Sequence, residues 1–547
     1  MKKPLIYWLT ALTLASLLST TPLLAADPPQ LVLFVTVDQL RGDMPTRYLD
    51  RLAPGGFRYL LDNGTVYRNA HYQHLVTTTA AGHATLSTGS NTPQHGIASN
   101  EWFDVDTMQP VYNTEDIRHP VIGVPGDLEK GRSPRNLTSS TFGDELLIAN
   151  NGKSRVFTVS IKDRAAILLG GRLGKAYWYS RTTGKFVTSA YYTDHYPDWV
   201  NRWNAQGHAD QYRNKSWELL LEPGSYVFRD QDDRWFEKSP RNLGRTFPHK
   251  LSDVRPEDYY SSLRYVPMGD ELTLAFVQEL VIREKVGQLG HTDILAVSFS
   301  VTDYIGHAYG PNSLEAEDNL LRLDRTLQKL FQFIDQQVGL DNTLVVLTSD
   351  HGVSPAPEYA AEKGFDAQRQ NMPLLMQQLN TTLQQRFNTH SDLAIAFYMP
   401  GIYLDVKTIR KLGLEVSAVE RELAAEILKT PGFSLALTKT DLMAGRVPDT
   451  DAARRATRAF HPRRSGNVIL AQDPFWYLAS SPNGDATTHG SPYNYDSHVP
   501  IMMAGPGIGK GTVDQQVAPS DVAPTISAYL GIAPPSGSTG TPLPGVN

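Results

Sequence analysis

The chain has 547 residues, 51 Lys and Arg against 57 Asp and Glu (net charge −6), 41% hydrophobic side chains and no cysteine. This is the composition of a globular protein and excludes collagen-like, disordered and polybasic classes. Without cysteine there is no disulfide, thiolate metal site, thiol nucleophile or cysteine-derived sulfatase nucleophile, so any metal must be held by oxygen and nitrogen. The negative balance also argues against a general attraction for nucleic acid or anionic membranes; an anionic substrate would need locally concentrated positive charge.

In chain order, Lys2 and Lys3 precede a mostly apolar run from Leu5 to Leu24 and the small pair Ala25-Ala26, the grammar of a secretory signal peptide over residues 1–26. Hydroxyl residues and Pro22 interrupt the run, so cleavage is expected in preference to a permanent span. Loss of Lys2 and Lys3 takes the net charge from −6 to −8. The product is expected to be periplasmic or secreted, with no stable membrane span and no nucleic-acid partner.

Leu31 to Val37 is a continuous apolar, β-branched run ending in Asp38, as in a strand buried on both faces. The pattern recurs where Ile294 to Val301 runs into Asp303 and where Thr343 to Ser349 runs into Asp350-His351. From Ser313 to Val338, Leu320, Leu323, Leu327, Leu330, Phe331, Ile334 and Val338 fall at helical spacing. Further strands are expected at Arg155–Ser160, Asn467–Ala471 and Val499–Ala504, and helices at Ser139–Ala149 and Asp521–Leu530. Strands alternating with helices predict an α/β fold, a mostly parallel sheet with helices on both faces, whose ligands gather beyond the carboxyl ends of the strands. Residues 27–547 read as one catalytic domain, with cap insertions at about 170–267 and 353–462.

Three acids end strands, and each motif taken alone has an ordinary structural explanation. Asp303 and His307 lie four apart and share a face if the segment is helical, a two-ligand arrangement for a divalent metal or simply a solvated pair. Asp350-His351-Gly352 could address two sides of a site, or Asp350 could be a cap. Asp38 has the same two readings. Three carboxylates at one sheet edge, however, repel unless cations lie between them. Thr77-Thr78-Thr79 leads through Gly82-His83 into a helix, so a hydroxyl faces the positive end of a helix dipole, as a cap or as a nucleophile. His489 sits in a polar loop, and His498 is better placed behind the ligands or at a buried hydrogen bond than on a metal.

As an ordered set, Asp38, Thr79 with Gly82-His83, Asp303-x-x-x-His307, Asp350-His351-Gly352 and Thr488-His489 resemble the alkaline phosphatase superfamily. The resemblance is to its periplasmic, threonine-nucleophile, phosphate-irrepressible alkaline phosphatases, relatives of the nucleotide pyrophosphatase/phosphodiesterases, and spans about Pro29 to the C-terminus. It implies a mostly parallel alkaline-phosphatase-like sheet and two Zn²⁺ per chain. Asp303, His307 and His489 would hold one, and Asp38, Asp350, His351 and Thr79 the other. It also selects Thr79 from the threonine run as the nucleophile that forms a phosphothreonine. Two Zn²⁺ are balanced by three carboxylates and an alkoxide, so a phosphate dianion needs further cations. The resemblance supplies Lys162, Arg164 and the amide of Asn100 for that role. The implied activity is hydrolysis of small-molecule phosphate monoesters by a monomer. A phosphodiesterase on the same scaffold is the nearest alternative, and a phosphate-binding protein without turnover a more distant one.

Overall fold

The computed structural model of the protein describes residues 28–546 except 127, 482 and 483, so the signal peptide expected at 1–26 lies outside the described residues. Its centre is a nine-stranded sheet. In chain order the strands are β1 (Leu31–Val37), β2 (Thr65–His71), β3 (Val156–Ser160), β4 (Lys175–Tyr179), β5 (Phe186–Val187), β6 (Asp293–Phe299), β7 (Thr343–Thr348), β8 (His498–Ala504) and β9 (Gly511–Val513). Their spatial order is β9-β2-β8-β7-β1-β6-β3-β4-β5. The five central strands from β7 to β4 are parallel. β8 runs antiparallel to β7, and β5 antiparallel to β4.

Every residue of β1, β6 and β7 is buried, because the sheet is covered on both sides. Leu33, Val35, Val297 and Phe299 pack on one face with Leu327 and Phe331 of the helix Leu314–Gln337. Val32, Phe34, Ala296 and Val346 pack on the other with Leu86, Phe142 and Ile526. Removing a side chain of this size from water stabilises the fold by about 1.5–3 kcal/mol, and the two-residue period of a strand distributes that gain to both faces.

One strand joins a different sheet from the one expected. The run near Asn467–Ala471 forms Val468–Gln472, which pairs with Gly401–Leu404 and Phe433–Thr438 in a separate four-stranded sheet completed by Ala394–Tyr398. A short buried apolar run has the same local signature in either sheet, so its partner is settled only by the path of the chain.

The region 170–267 is tied to the helix Val301–Tyr309, where the Ala308 carbonyl accepts from Lys238 N–H and Tyr309 Oη donates to the Gly244 carbonyl. Behind this contact, buried Glu315 faces His249, with Oε1 3.2 Å from Nε2. The Leu243 carbonyl can only accept, so His249 Nδ1 donates to it at 3.0 Å, leaving Nε2 as a lone pair that matches a protonated Glu315. Burial, opposed by a backbone hydrogen bond, pushes the Glu315 carboxyl well above its ordinary range, and burial, with repulsion should Glu315 ionise, pushes Glu237 to about 9. Both acids are therefore retained as neutral groups. Their contribution is complete below the unfolded carboxylate range near 4.5 and is lost as pH climbs toward 9. Glu315→Gln should thus raise the melting temperature at pH 8.5 by about 1–3 °C and leave it unchanged at pH 5. Equal shifts at both pH values would refute the neutral-acid assignment.

Candidate active site

Strand register assembles the site. Thr36 pairs with Thr348, Val37 with Phe299, and Ser160 with Ser298. Two residues further on, Asp350, Asp38, Ser300 and Lys162 therefore stand side by side at one sheet edge. The helix Val301–Tyr309 starts there and turns Asp303 and His307 onto one face.

Six side chains converge as two clusters, Asp303/His307/His489 and Asp38/Asp350/His351, with one donor atom of each residue within 4.8 Å of the others in its cluster. His307 Nε2 and His489 Nε2 lie 3.4 and 3.5 Å from Asp303 Oδ1. His351 Nε2 lies 3.6 Å from Asp38 Oδ1 and 3.4 Å from Asp350 Oδ2. The Nδ1 atoms of His307, His351 and His489 are bonded to the carbonyls of Thr487, Gly352 and Thr77 at 2.9, 2.9 and 2.7 Å. A carbonyl forces Nδ1 to be the donor, so Nε2 is the atom that each ring turns toward its carboxylates, as a lone pair in the neutral imidazoles of His351 and His489. Asp38 Oδ1 and His351 Nε2 are buried without any hydrogen-bond partner. Buried, unpartnered ring nitrogen and carboxylate oxygen facing each other are the surroundings that a divalent metal ion satisfies, and this mixed nitrogen and oxygen set suits a borderline transition ion. The residues therefore fit a metal cofactor.

The electrostatics agree. Burial and the neighbouring Asp350 drive the Asp38 carboxyl well above its usual range, although Lys162 opposes them. Against the cost of burial, Lys162 and then His307 hold Asp303 well below it. Burial lowers His351 to about 3, outweighing the attraction of Asp350, and also lowers His489, which keeps both rings neutral as metal ligands must be. His307 differs: burial disfavours its cation, but Asp303 overrides it and raises that group to about 9, so a metal ion there would have to displace a proton from its Nε2.

Thr79 is the first residue of the helix Thr79–Thr88, and Thr78 occupies the cap position without a side-chain cap bond. Its hydroxyl is thus not spent on capping. Glycine is required at position 82, because a Cβ there would collide with the Asp350 carbonyl. His83 then bonds the Thr79 carbonyl and Ser298 Oγ at 2.8 and 2.9 Å. Lys162 Nζ and Arg164 Nη2 lie 3.3 and 3.4 Å from Thr79 Oγ1. Lys162 also bridges Asp38 at 2.7 Å and Asp303 at 2.5 Å, so its ammonium stands between the two clusters. Asn100 Oδ1 accepts from the N–H of Ala80, next to Thr79, at 2.9 Å, which leaves its Nδ2 hydrogens for another partner. Every site residue expected from the sequence is therefore in this one locale. His498 is not. It bonds the Arg68 carbonyl at 2.8 Å and stacks on His71.

Several participating residues were not legible in the sequence. Buried Gln39 donates its N–H to Asp350 Oδ1 at 3.1 Å and its Nε2–H to Asp303 Oδ1 at 2.9 Å, linking the two clusters. It does so at φ 68°, an uncommon conformation for a non-glycine residue, and packs where a Cβ on Gly306 would strike its side chain. Asp163, between the two cations of the clamp, is held by Arg132 and Tyr112 at 2.5 and 2.6 Å and so does not neutralise the clamp alone. Arg369 donates to the Asp485 and Ala486 carbonyls at 2.8 and 2.6 Å and anchors the loop that carries His489.

The profile of the family described as type I phosphodiesterase / nucleotide pyrophosphatase matches residues 32–492. The chain belongs to this family. Among family relatives, alkaline phosphatase PhoV of Synechococcus elongatus is 34% identical over 520 residues, covering 94% of this chain and 92% of PhoV. Alkaline phosphatase PafA of Elizabethkingia meningoseptica is 34% identical over 551 residues, 99% of each chain. The crystal structure of wild-type PafA matches with a TM-score of 0.89 over 95% of this chain and 99% of that one, at 34% identity. The nine-stranded sheet flanked by helices is accordingly the alkaline-phosphatase-like fold of this family, and the chain is an enzyme. Among the described residues no helix is long and apolar enough to cross a membrane.

Proposed function

We propose that the protein is an exported alkaline phosphatase that hydrolyses small-molecule phosphate monoesters through a phosphothreonine at Thr79. The observation that carries this reading is the convergence of Lys162 and Arg164 on Thr79 Oγ1, beside two clusters that would each hold one Zn²⁺. Asp303, His307 and His489 would bind one ion, and Asp38, Asp350 and His351, joined by Thr79, the other. When bound, such a pair supplies Lewis-acid stabilisation to the attacking and leaving oxygens of an in-line displacement.

The chain's own residues supply the rest. The helix N-terminus and the two cations favour a negative Thr79 oxygen. Its attack forms the O–P bond as the bond to the alcohol breaks; water then cleaves the phosphothreonine, releasing inorganic phosphate and restoring the hydroxyl. Arg164 and Asn100 Nδ2 would hydrogen-bond the non-bridging oxygens, whose charge a planar guanidinium matches well. Gln39 and the three backbone carbonyls hold the acids and imidazoles in place. In this reading residues 1–26 direct export, the regions 170–267 and 353–462 cap the site, and the enzyme acts as a monomer.

A phosphodiesterase on the same scaffold would bind a monoanion, for which the two clamp cations are an excess. The comparison that decides is kcat/KM for a monoester and a diester with the same leaving group. The monoester should be preferred by at least about 100-fold, equivalent to about 2.7 kcal/mol of transition-state binding; a diester preference would overturn the assignment.

A further inference from the structure

The phosphate clamp is backed by a cation from outside the motifs. Tyr304 lies between the ligands Asp303 and His307 on their helix, and its ring has cations on it. Lys162 Nζ stands 5.0 Å from the ring centroid and Arg264 Cζ 4.8 Å from it. Arg264 Nη1 also donates to Tyr304 Oη at 3.1 Å. Arg264 comes from the turn Leu263–Tyr265 at the end of the 170–267 region and is only 7% exposed. Its Nε and Nη2 donate to the Ser261 carbonyl at 3.2 Å and to Ser261 Oγ at 2.6 Å, in the short helix just before the turn. Among the described residues no carboxylate forms an ion pair with it, whereas Lys162 has two and Arg132 has Asp163.

A buried guanidinium with only neutral partners is costly unless a counter-charge arrives. The reaction above brings one to Lys162 and Arg164. We propose that Arg264 is a specificity-determining third cation of the phosphate site, acting across the Tyr304 ring to favour a dianionic monoester over a monoanionic diester. The proposal rests on the phosphomonoesterase reading and deepens it. Lys162 is already offset by Asp38 and Asp303, so a charge on Arg264 that no carboxylate offsets adds net positive potential on that side of the site. Since it does not touch the reacting atoms, its effect scales with the charge of the ligand, not with the chemistry of the leaving group.

The test uses the metal-loaded enzyme, with Arg264→Gln and Arg264→Lys compared against wild type. The readouts are kcat/KM for a monoester and a diester sharing a leaving group, inhibition by inorganic phosphate at pH 8, and metal content. For Arg264→Gln, monoester kcat/KM should fall about tenfold, with a similar weakening of phosphate inhibition, while the diester changes by less than about threefold. Arg264→Lys should recover most of the loss, and metal content should stay at the wild-type value. Equal losses on both esters, loss of metal, or no change would overturn the proposal. A wild-type preference for the diester would instead overturn the monoesterase reading, so the two failures are distinguishable.

Discussion

Replacing Thr79 with alanine should lower kcat for a phosphate monoester by at least about 10⁴-fold, because no other hydroxyl occupies its position at the helix start. Lys162 and Arg164 would remain, so inorganic phosphate should still bind, within about tenfold of the wild-type affinity. Thr79→Ser retains a hydroxyl on the same backbone atom and should keep measurable turnover. Rapid-quench detection of phosphorylated protein checks the chemistry directly: wild type should accumulate an acid-stable phosphothreonine, and the alanine variant none. If the alanine variant turned over at a rate near that of wild type, or if phosphate were found on another residue, the nucleophile would be misassigned.

Stripping the protein with a chelator should abolish turnover and lower the melting temperature, with both restored by about two equivalents of Zn²⁺. The physical reason is the crowding of three buried carboxylates, Asp38, Asp303 and Asp350, of which Asp38 and Asp303 share the ammonium of Lys162. The loss of stability should be larger at pH 8 than at pH 5, because the buried and mutually repelled Asp38 carboxyl is held above its ordinary range. A raised folded-state value contributes stability at low pH that is lost as pH rises, and a bound cation removes that loss. Asp303→Asn should bind one equivalent instead of two, as measured by elemental analysis. Full activity with no metal in the stripped protein would eliminate the two-ion site.

The central strands were legible because strands buried on both faces must be continuous apolar runs, and β1, β6 and β7 fall within a residue or two of the runs that announced them. Asp38 and Asp350 were legible because an acid within two residues of the end of such a run marks the edge where the chain leaves the core; Asp303 lies four residues past its strand, in the first turn of the helix Val301–Tyr309. The pairing partner of Val468–Gln472 was not legible, since burial alone does not tell one sheet from another. Nor were Gln39, Arg132, Arg264 and Arg369. Each acts through a contact with a segment remote in the chain, and none sits in a pattern that separates it from the many other polar residues of its type.

The order of chemical groups along the chain, the absence of thiol chemistry and the strand-end position of Asp38 and Asp350 are properties of the sequence itself, because they depend on composition and local periodicity. The resemblance supplied the division of ligands between two ions and the choice among three threonines. Tertiary structure alone decided that Thr36 aligns with Thr348 and Val37 with Phe299, that Gln39 spans both clusters, and that Arg264 stands behind the clamp on Tyr304. Those facts follow from register and from the return path of long insertions, which are set by packing between distant segments and leave no local imprint on the residues that make the contact.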